Sequence, residues 1–393
     1  MQPLIKSPID PACKIIIVIP CCNEPDLIGT LDSLKNCEQL GYLVEVIVVL
    51  NHSESAMFDV KQTNEHTLLS FQKWQSQNPE PFLKFQLIEA FNQPKKDAGV
   101  GLARKVGMDE ALRRFLSIDK DGAIVCLDAD CRVSNNYLTA INAQFVSTAA
   151  GIGVMNFEHQ YETEKDKNLR AGIINYELFL RYYVEGLRQS LFPNAIHTIG
   201  SCMLVKAAIY AKHGGMNKRK AGEDFYFLHK IIPHEKFVTV EKATVYPSCR
   251  TSDRVPFGTG KAQQDWLNRD DKTYLTYDSK VFGDLKVLFQ CLEKIYDPTF
   301  DNWAFEPTGV TAFLEEHDYF EKINLIRANC KSFQQFEKQF YVWFDGFLCL
   351  KFIHYARDNF YPNIPLTIAA KQLIDLNSDD TANLLKAYRD NDA

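Results

Sequence analysis

The sequence predicts an α/β protein built on a doubly wound, mostly parallel, Rossmann-like sheet, followed by a helical C-terminal region. Two patterns carry this prediction. From Lys14 to Asp130, short runs of consecutive apolar residues, rich in Val and Ile, alternate with amphipathic stretches, as strands do when helices cover both faces of a sheet. After about Trp266 those runs fade, and aromatic-rich helical patterns such as FEKQFYVWFDGFLCLKFIHYARD take over.

The elements follow in order. Ile15–Ile19 reads as the first strand, and Leu27, Leu31 and Leu34 at helical spacing as the first helix. Pro25 marks the helix start, where a missing backbone donor is harmless. Further strands are expected at Val44–Leu50, Phe85–Ile88 and Ala123–Leu127, joined by right-handed crossovers. Residues Thr163–Leu191 carry Ile173, Tyr176, Leu180, Tyr183 and Leu187 at helical spacing and are closed by Pro193, so a helical insertion beside the sheet is expected there. The expected division is 1–265 and 266–393, with no Pro/Gly/Ser-rich linker to sharpen the boundary.

Composition narrows the function. The 393 residues include 46% hydrophobic and 24% charged side chains, as in globular proteins. A net charge of -6, with 44 basic residues spread along the chain, offers no concentrated positive field for nucleic acid. Eleven cysteines without a CxxC pair point to reduced thiols and a cytoplasmic protein. The N-terminus lacks the apolar stretch of a secretory signal. The most apolar late segment, Phe340–Tyr355, contains Asp345 and Lys351 and is too short for a transmembrane segment; peripheral membrane contact is left open.

In a doubly wound sheet, ligands lie beyond the carboxyl ends of the strands. Those ends read Pro20-Cys21-Cys22-Asn23-Glu24, Leu50-Asn51-His52-Ser53, Ile88-Glu89-Ala90 and Leu127-Asp128-Ala129-Asp130. Asp128 and Asp130, one residue apart after a buried strand, offer hard oxygen ligands for Mn2+ or Mg2+ bridging phosphates. Taken alone, such a pair more often marks a solvated turn with a carboxylate as helix cap. Three preceding strands and a downstream acidic pair favour the metal reading.

The segments IIIVIPCCNEPDLIGTLDSL, AGVGLARKVGMDEAL, CLDAD, GSCMLVKAAIYAKHGGM and GEDFYFL, in that order, resemble the family 2 glycosyltransferases of the GT-A fold. The resemblance spans about residues 14–260. It implies a metal-dependent enzyme acting on a nucleotide diphosphate sugar of UDP or GDP type and on an unidentified acceptor hydroxyl, with residues 1–265 as the catalytic domain. It places Pro20, Asn23, Glu24 and Asn51 around base and ribose, Arg104 facing the diphosphate, and Asp128, Ala129 and Asp130 at the donor phosphates and metal. Gly200 and Ser201, with Gly214 and Gly215 after them, match the turn under the donor sugar. Asp224 would be the base in an inverting displacement, supported by Glu223, and 163–191 would form the acceptor side, with Arg181 and Arg188 as surface positions affecting acceptor use. The resemblance also suggests a further histidine ligand near Tyr246–Arg250, where none stands. Arg250, Arg254 and Lys261, flanking Phe257-Gly258-Thr259-Gly260, are alternative phosphate contacts.

Plainer readings exist for several of these residues. Lys95, Lys96 and Lys105 fit a solvated face, Glu223 and Asp224 fit carboxylates at a helix N-terminus, and Gly214 and Gly215 fit a positive-φ turn. His229 and His234 fit ordinary surface or core positions. Three rival functions remain. A haloacid-dehalogenase-like phosphohydrolase also carries DxD, a nucleotidyltransferase would release pyrophosphate, and a non-catalytic nucleotide-sugar-binding protein would bind without turnover.

Overall fold

The computed structural model describes residues 2–252, 258–300 and 308–392, and its chain divides into two compact units. The first comprises residues 1–164 and 198–261, and the second residues 165–197 and 262–393.

In the first unit, eight strands form one sheet: β1 (Ile15–Cys21), β2 (Val44–Ser53), β3 (Leu83–Gln93), β4 (Ala123–Cys126), β5 (Arg132–Val133), β6 (Ile152–Phe157), β7 (Met203–Lys206) and β8 (Phe237–Tyr246). Their order across the sheet is β3-β2-β1-β4-β7-β6-β8-β5. Strands β3, β2, β1 and β4 are mutually parallel, whereas β7 runs antiparallel to both β4 and β6. The expected doubly wound, mostly parallel sheet is present, with all four strands read from the sequence in place. Every residue of β1 is buried, which is why its apolar run is continuous rather than alternating.

Helices α1 (Leu27–Lys35), α2 (Phe58–Gln77) and α3 (Val100–Ser117) connect these strands. Helix α3 packs on β1 and β2, and Gly107 permits the approach: a Cβ there would lie 2.4 Å from Val18 Cγ1 and 3.0 Å from Val49 Cγ2. Glu45 and Arg114, both buried, form a two-point ion pair with both contacts at 2.5 Å, so the charges that α3 and β2 bury neutralise each other.

In the second unit, the helix Lys167–Gln189 is capped by Asp166, whose carboxylate accepts from the amides of Asn168 and Leu169. It packs with the C-terminal helices Leu366–Ile374 and Thr381–Asp392. By its contacts, then, the helical stretch expected as an insertion beside the sheet groups with the C-terminal region. Tyr182 meets Phe282 edge-on at 5.7 Å and donates to the Tyr277 carbonyl at 2.8 Å, so it serves as core. Arg181, expected on the surface, is buried and bonded to Glu177 at 2.9 Å and to Asp392 at 2.5 Å. No helix among the described residues is long and apolar enough to cross a membrane.

Candidate active site at the strand ends

The loop after β1 is shaped by backbone geometry. Asn23 adopts φ 50°, a left-handed conformation that asparagine tolerates better than most residues. Its amide donates to Asn64 Oδ1 at 2.8 Å, and Asn64 Nδ2 donates to the Asn51 carbonyl at 2.9 Å. Thr67 Oγ1 donates to the Glu24 carbonyl at 3.0 Å. Asn64 and Thr67, neither of them among the expected site residues, thus tie the ends of β1 and β2 together from helix α2. A signal was available: Asn64, Thr67, Phe71 and Trp74 are the buried residues of α2, and two polar residues on a helical stripe otherwise suited to apolar ones imply bonds to be made. Asn51 Nδ2 donates to the Gly99 carbonyl at 3.3 Å, linking β2 to the start of α3. Pro20 lies within β1, opposite Val49.

Beyond β4, the chain turns with the Cys131 amide donating to the Asp128 carbonyl at 3.2 Å. Thr30 Oγ1 on α1 fixes the turn by donating to the Ala129 carbonyl at 2.7 Å. The two aspartates then take different partners. Asp128 Oδ1 accepts from Arg104 Nη2 at 2.5 Å, and Arg104 Nη1 pairs with Glu223. Arg104 is 3% exposed. Burial opposes its charge, but Asp128, Glu223 and Asp224 together raise its pKa further above the ordinary arginine range. Arg104, expected to face the diphosphate, bridges the first carboxylate of one motif and the first of the other, because α3 carries it between them. Gly200 belongs to the same brace: a Cβ there would fall 2.3 Å from Arg104 Nη2. Ser201 is buried, with Oγ 3.8 Å from Cys202 Sγ.

Asp130 points elsewhere. Its Oδ2 lies 3.2 Å from Arg250 Nη2, and the same guanidinium nitrogen pairs with Glu24. Glu24, expected near base and ribose, is fully buried, with Oε1 accepting from the Asp26 amide at 2.9 Å. Arg250 is half-buried. Burial works against its charge, while the bond to Glu24 and the charges of Glu24 and Asp130 raise its pKa. The stretch Tyr246–Arg250 thus supplies an arginine rather than a histidine. Arg254 and Phe257 lie outside the described residues.

Gly222 adopts φ 70° and precedes helix Glu223–Ile231. This start places Glu223 and Asp224 in the first turn, where the helix dipole favours negative charge. Glu223 is buried against Arg104, while Asp224 is less enclosed and its Oδ1 accepts from the Phe225 amide at 2.7 Å. Burial, then the charge of Glu223, push the Asp224 pKa up to about 6, against the lowering effect of Arg104. A carboxylate poised there is suited to general-base work near neutral pH.

Other candidates are structural. Gly214 and Gly215 both have φ of 72°, and the Gly215 amide returns to the Tyr210 carbonyl at 2.9 Å, closing helix Ala207–Lys212 as a glycine C-cap does. Lys105 pairs with Asp109 one helical turn on, at 2.8 Å. His229 is buried against Phe225, with ring centroids 4.4 Å apart, and burial lowers its pKa to about 4.

Among the described residues, no group of three or more His, Cys, Asp or Glu side chains is arranged to hold a metal ion. Hard-oxygen donors are nevertheless present: the partly exposed carboxylate of Asp130 already takes a positive group, the Arg250 guanidinium, and so fits a divalent cation whose remaining ligands come from phosphate oxygens and water.

The chain matches the profile of "Glycosyl transferase family 2" over residues 16–214, half its length; Glu223 and Asp224 lie just beyond the match. No curated protein matches the chain. Among solved structures, the chain is 13% identical to S. aureus TarS 1-349 in complex with UDP-GlcNAc, covering 96% of this chain and 92% of that one with a TM-score of 0.43. It is 14% identical to the mannosyltransferase PcManGT from Pyrobaculum calidifontis in complex with GDP-Man and Mn2+, covering 98% and 82% with a TM-score of 0.39. Against another S. aureus TarS structure, the chain spans 46% of that chain and 73% of its own length, at 13% identity and a TM-score of 0.40. Likeness at this level carries no residue roles. The sheet, mostly parallel with β7 inserted antiparallel beside β4 and β5 antiparallel at its edge, fits the expected GT-A type, and the match over half the sequence settles the kinship: the chain belongs to glycosyl transferase family 2.

Proposed function

We propose that the chain transfers a glycosyl group from a nucleoside diphosphate sugar, of UDP or GDP type, to an acceptor hydroxyl, with inversion at the anomeric carbon and Asp224 as the base. The observation that carries this reading is the asymmetry of the acidic pair. Glu223 is committed to Arg104, whereas Asp224 makes one backbone bond and has a pKa pushed up to about 6. Among the described residues its other carboxylate oxygen has no such backbone bond, so Asp224 is the member of the pair suited to take a proton.

In the proposed reaction Asp224 accepts the proton of the acceptor hydroxyl as that oxygen attacks the anomeric carbon. The bond from that carbon to the β-phosphate oxygen breaks, and the nucleoside diphosphate leaves with the bonding pair. Arg104 positions Glu223 and Asp128 on either side of this step and keeps their charges compensated. Asn51, Asn23 and Glu24, tied together through Asn64 and Thr67, shape the nucleoside side of the site. Asp130, with Asp128 beside it, would hold Mn2+ or Mg2+, which when bound neutralises diphosphate charge.

Asp224→Asn is the test, because it keeps size and removes basicity. Turnover should fall about 100-fold or more while nucleotide affinity persists. Near-normal turnover would remove Asp224 from the mechanism, release of pyrophosphate would favour a nucleotidyltransferase, and a product of retained configuration would refute inversion. A binding protein would be stabilised by nucleotide without releasing diphosphate.

A further inference from the structure

Arg250 and Asp130 raise a question that the proposed mechanism leaves open. One guanidinium nitrogen contacts Asp130 Oδ2 at 3.2 Å and also pairs with Glu24. The two contacts are unequal in kind. Glu24 is fully buried and holds its carboxylate with the Asp26 amide, whereas the side chain of Asp130 is 25% exposed. A buried carboxylate needs its counter-charge much more than a solvated one does.

We infer that Arg250 is a built-in competitor of the divalent cation: its guanidinium, anchored on Glu24, occupies the Asp130 carboxylate that the cation would use. This rests on the metal reading of Asp130 proposed above. A cation on Asp130 and a guanidinium on the same carboxylate repel each other at contact distance. Cation binding therefore displaces Arg250 from Asp130, while the pair with Glu24 survives and keeps the arginine at hand. Because coupling is reciprocal, any ligand that draws Arg250 away from Asp130 tightens the cation, and a diphosphate, which attracts a guanidinium, is such a ligand. The consequence is a site that holds the cation weakly by itself and well only when the nucleotide arrives.

The test uses the full chain and Mn2+ as probe, with bound ion measured by electron paramagnetic resonance and calorimetry, and folding checked by thermal melting. Arg250→Gln should tighten Mn2+ alone about 5-fold, the scale of one half-exposed charge-assisted bond, and should shrink the gain in Mn2+ affinity that UDP or GDP gives the parent. Arg250→Lys keeps the charge but loses the planar fork, so it should tighten Mn2+ to an intermediate extent. Glu24→Gln, which removes the anchor and leaves Asp130 as the remaining carboxylate on Arg250, should weaken Mn2+ and provides a second variant should Arg250→Gln fail to fold. Unchanged or weaker Mn2+ affinity in folded Arg250→Gln overturns the competition and leaves the metal reading standing. Parent-like affinity in Arg250→Lys overturns it too, by reducing the effect to a general field. Absence of Mn2+ binding in parent and variants alike, with or without nucleotide, sinks both readings.

Discussion

Two buried ionic clusters, one in each unit, are made of the same residue types and are satisfied to different degrees. In the helical unit, Glu177 is fully buried and bonded to both Arg181 and Arg389, while Asp392 is held by Arg181, Arg188 and His197. Burial would raise the Asp392 pKa, but the hydrogen bond with His197, then the charges around it, those of Arg181 and Arg188 included, more than offset this and hold it well below the usual carboxylate range. At the strand ends, Arg104 serves Asp128 and Glu223 with its two terminal nitrogens, but its Nε has no partner among the described residues, Asp128 is 36% exposed, and burial and the charge of Glu223 push the Asp224 pKa up to about 6. The first cluster is closed and serves stability. The second retains polar capacity, as a site that acts on a ligand must.

The largest effects should come from removing the central arginine of either cluster. Arg104→Met leaves Glu223 buried without its partner, and a loss of about 3–5 kcal/mol in stability is expected by denaturant unfolding, together with loss of turnover. Arg181→Met should cost a similar amount by the same reasoning, yet the folded fraction should bind nucleoside diphosphate with parental affinity. Equal damage to nucleotide binding in the two variants would erase the distinction between the clusters.

A smaller effect should follow from pH. Asp224 acts as a base only when ionised, so with its pKa raised to about 6 kcat/KM should be flat above about pH 7 and fall about tenfold per unit well below 6. Arg104 lowers that pKa, so in Arg104→Lys, where the charge is less well placed, the limb should move to higher pH. A limb that stays put would detach Arg104 from Asp224. Asp130→Asn sharpens the contrast within the DxD pair: it should weaken Mn2+ and nucleoside diphosphate together, measured by calorimetry with and without chelator, and should leave the melting temperature nearly unchanged because Asp130 is partly solvated.

The smallest effect marks the baseline. Lys105→Ala breaks a partly exposed pair with Asp109 and should cost no more than about 0.5 kcal/mol, with unchanged nucleotide affinity. A large loss of nucleotide binding would assign Lys105 to the phosphates instead.

What the sequence determined by itself was local. The apolar runs at 15–19, 44–50, 85–88 and 123–127 became β1 to β4 because strands covered on both faces must be apolar on consecutive residues, a constraint written position by position. The same logic located Asp128 and Asp130, since a strand end is itself a local feature, whereas Glu223 and Asp224 were marked by the resemblance of GEDFYFL to a family segment. Partnership was decided only by the tertiary structure. Arg104 meets Glu223 across 119 positions, Arg250 meets Glu24 across 226, and Arg181 meets Asp392 across 211. A charged residue in a sequence states that it needs a counter-charge once buried, but which carboxylate supplies it depends on how strands and helices stack. The sequence therefore marked Arg104 as a cation in a sugar-transfer motif, and only the packing of α3 between two acidic motifs decided that its guanidinium pairs with Asp128 and Glu223.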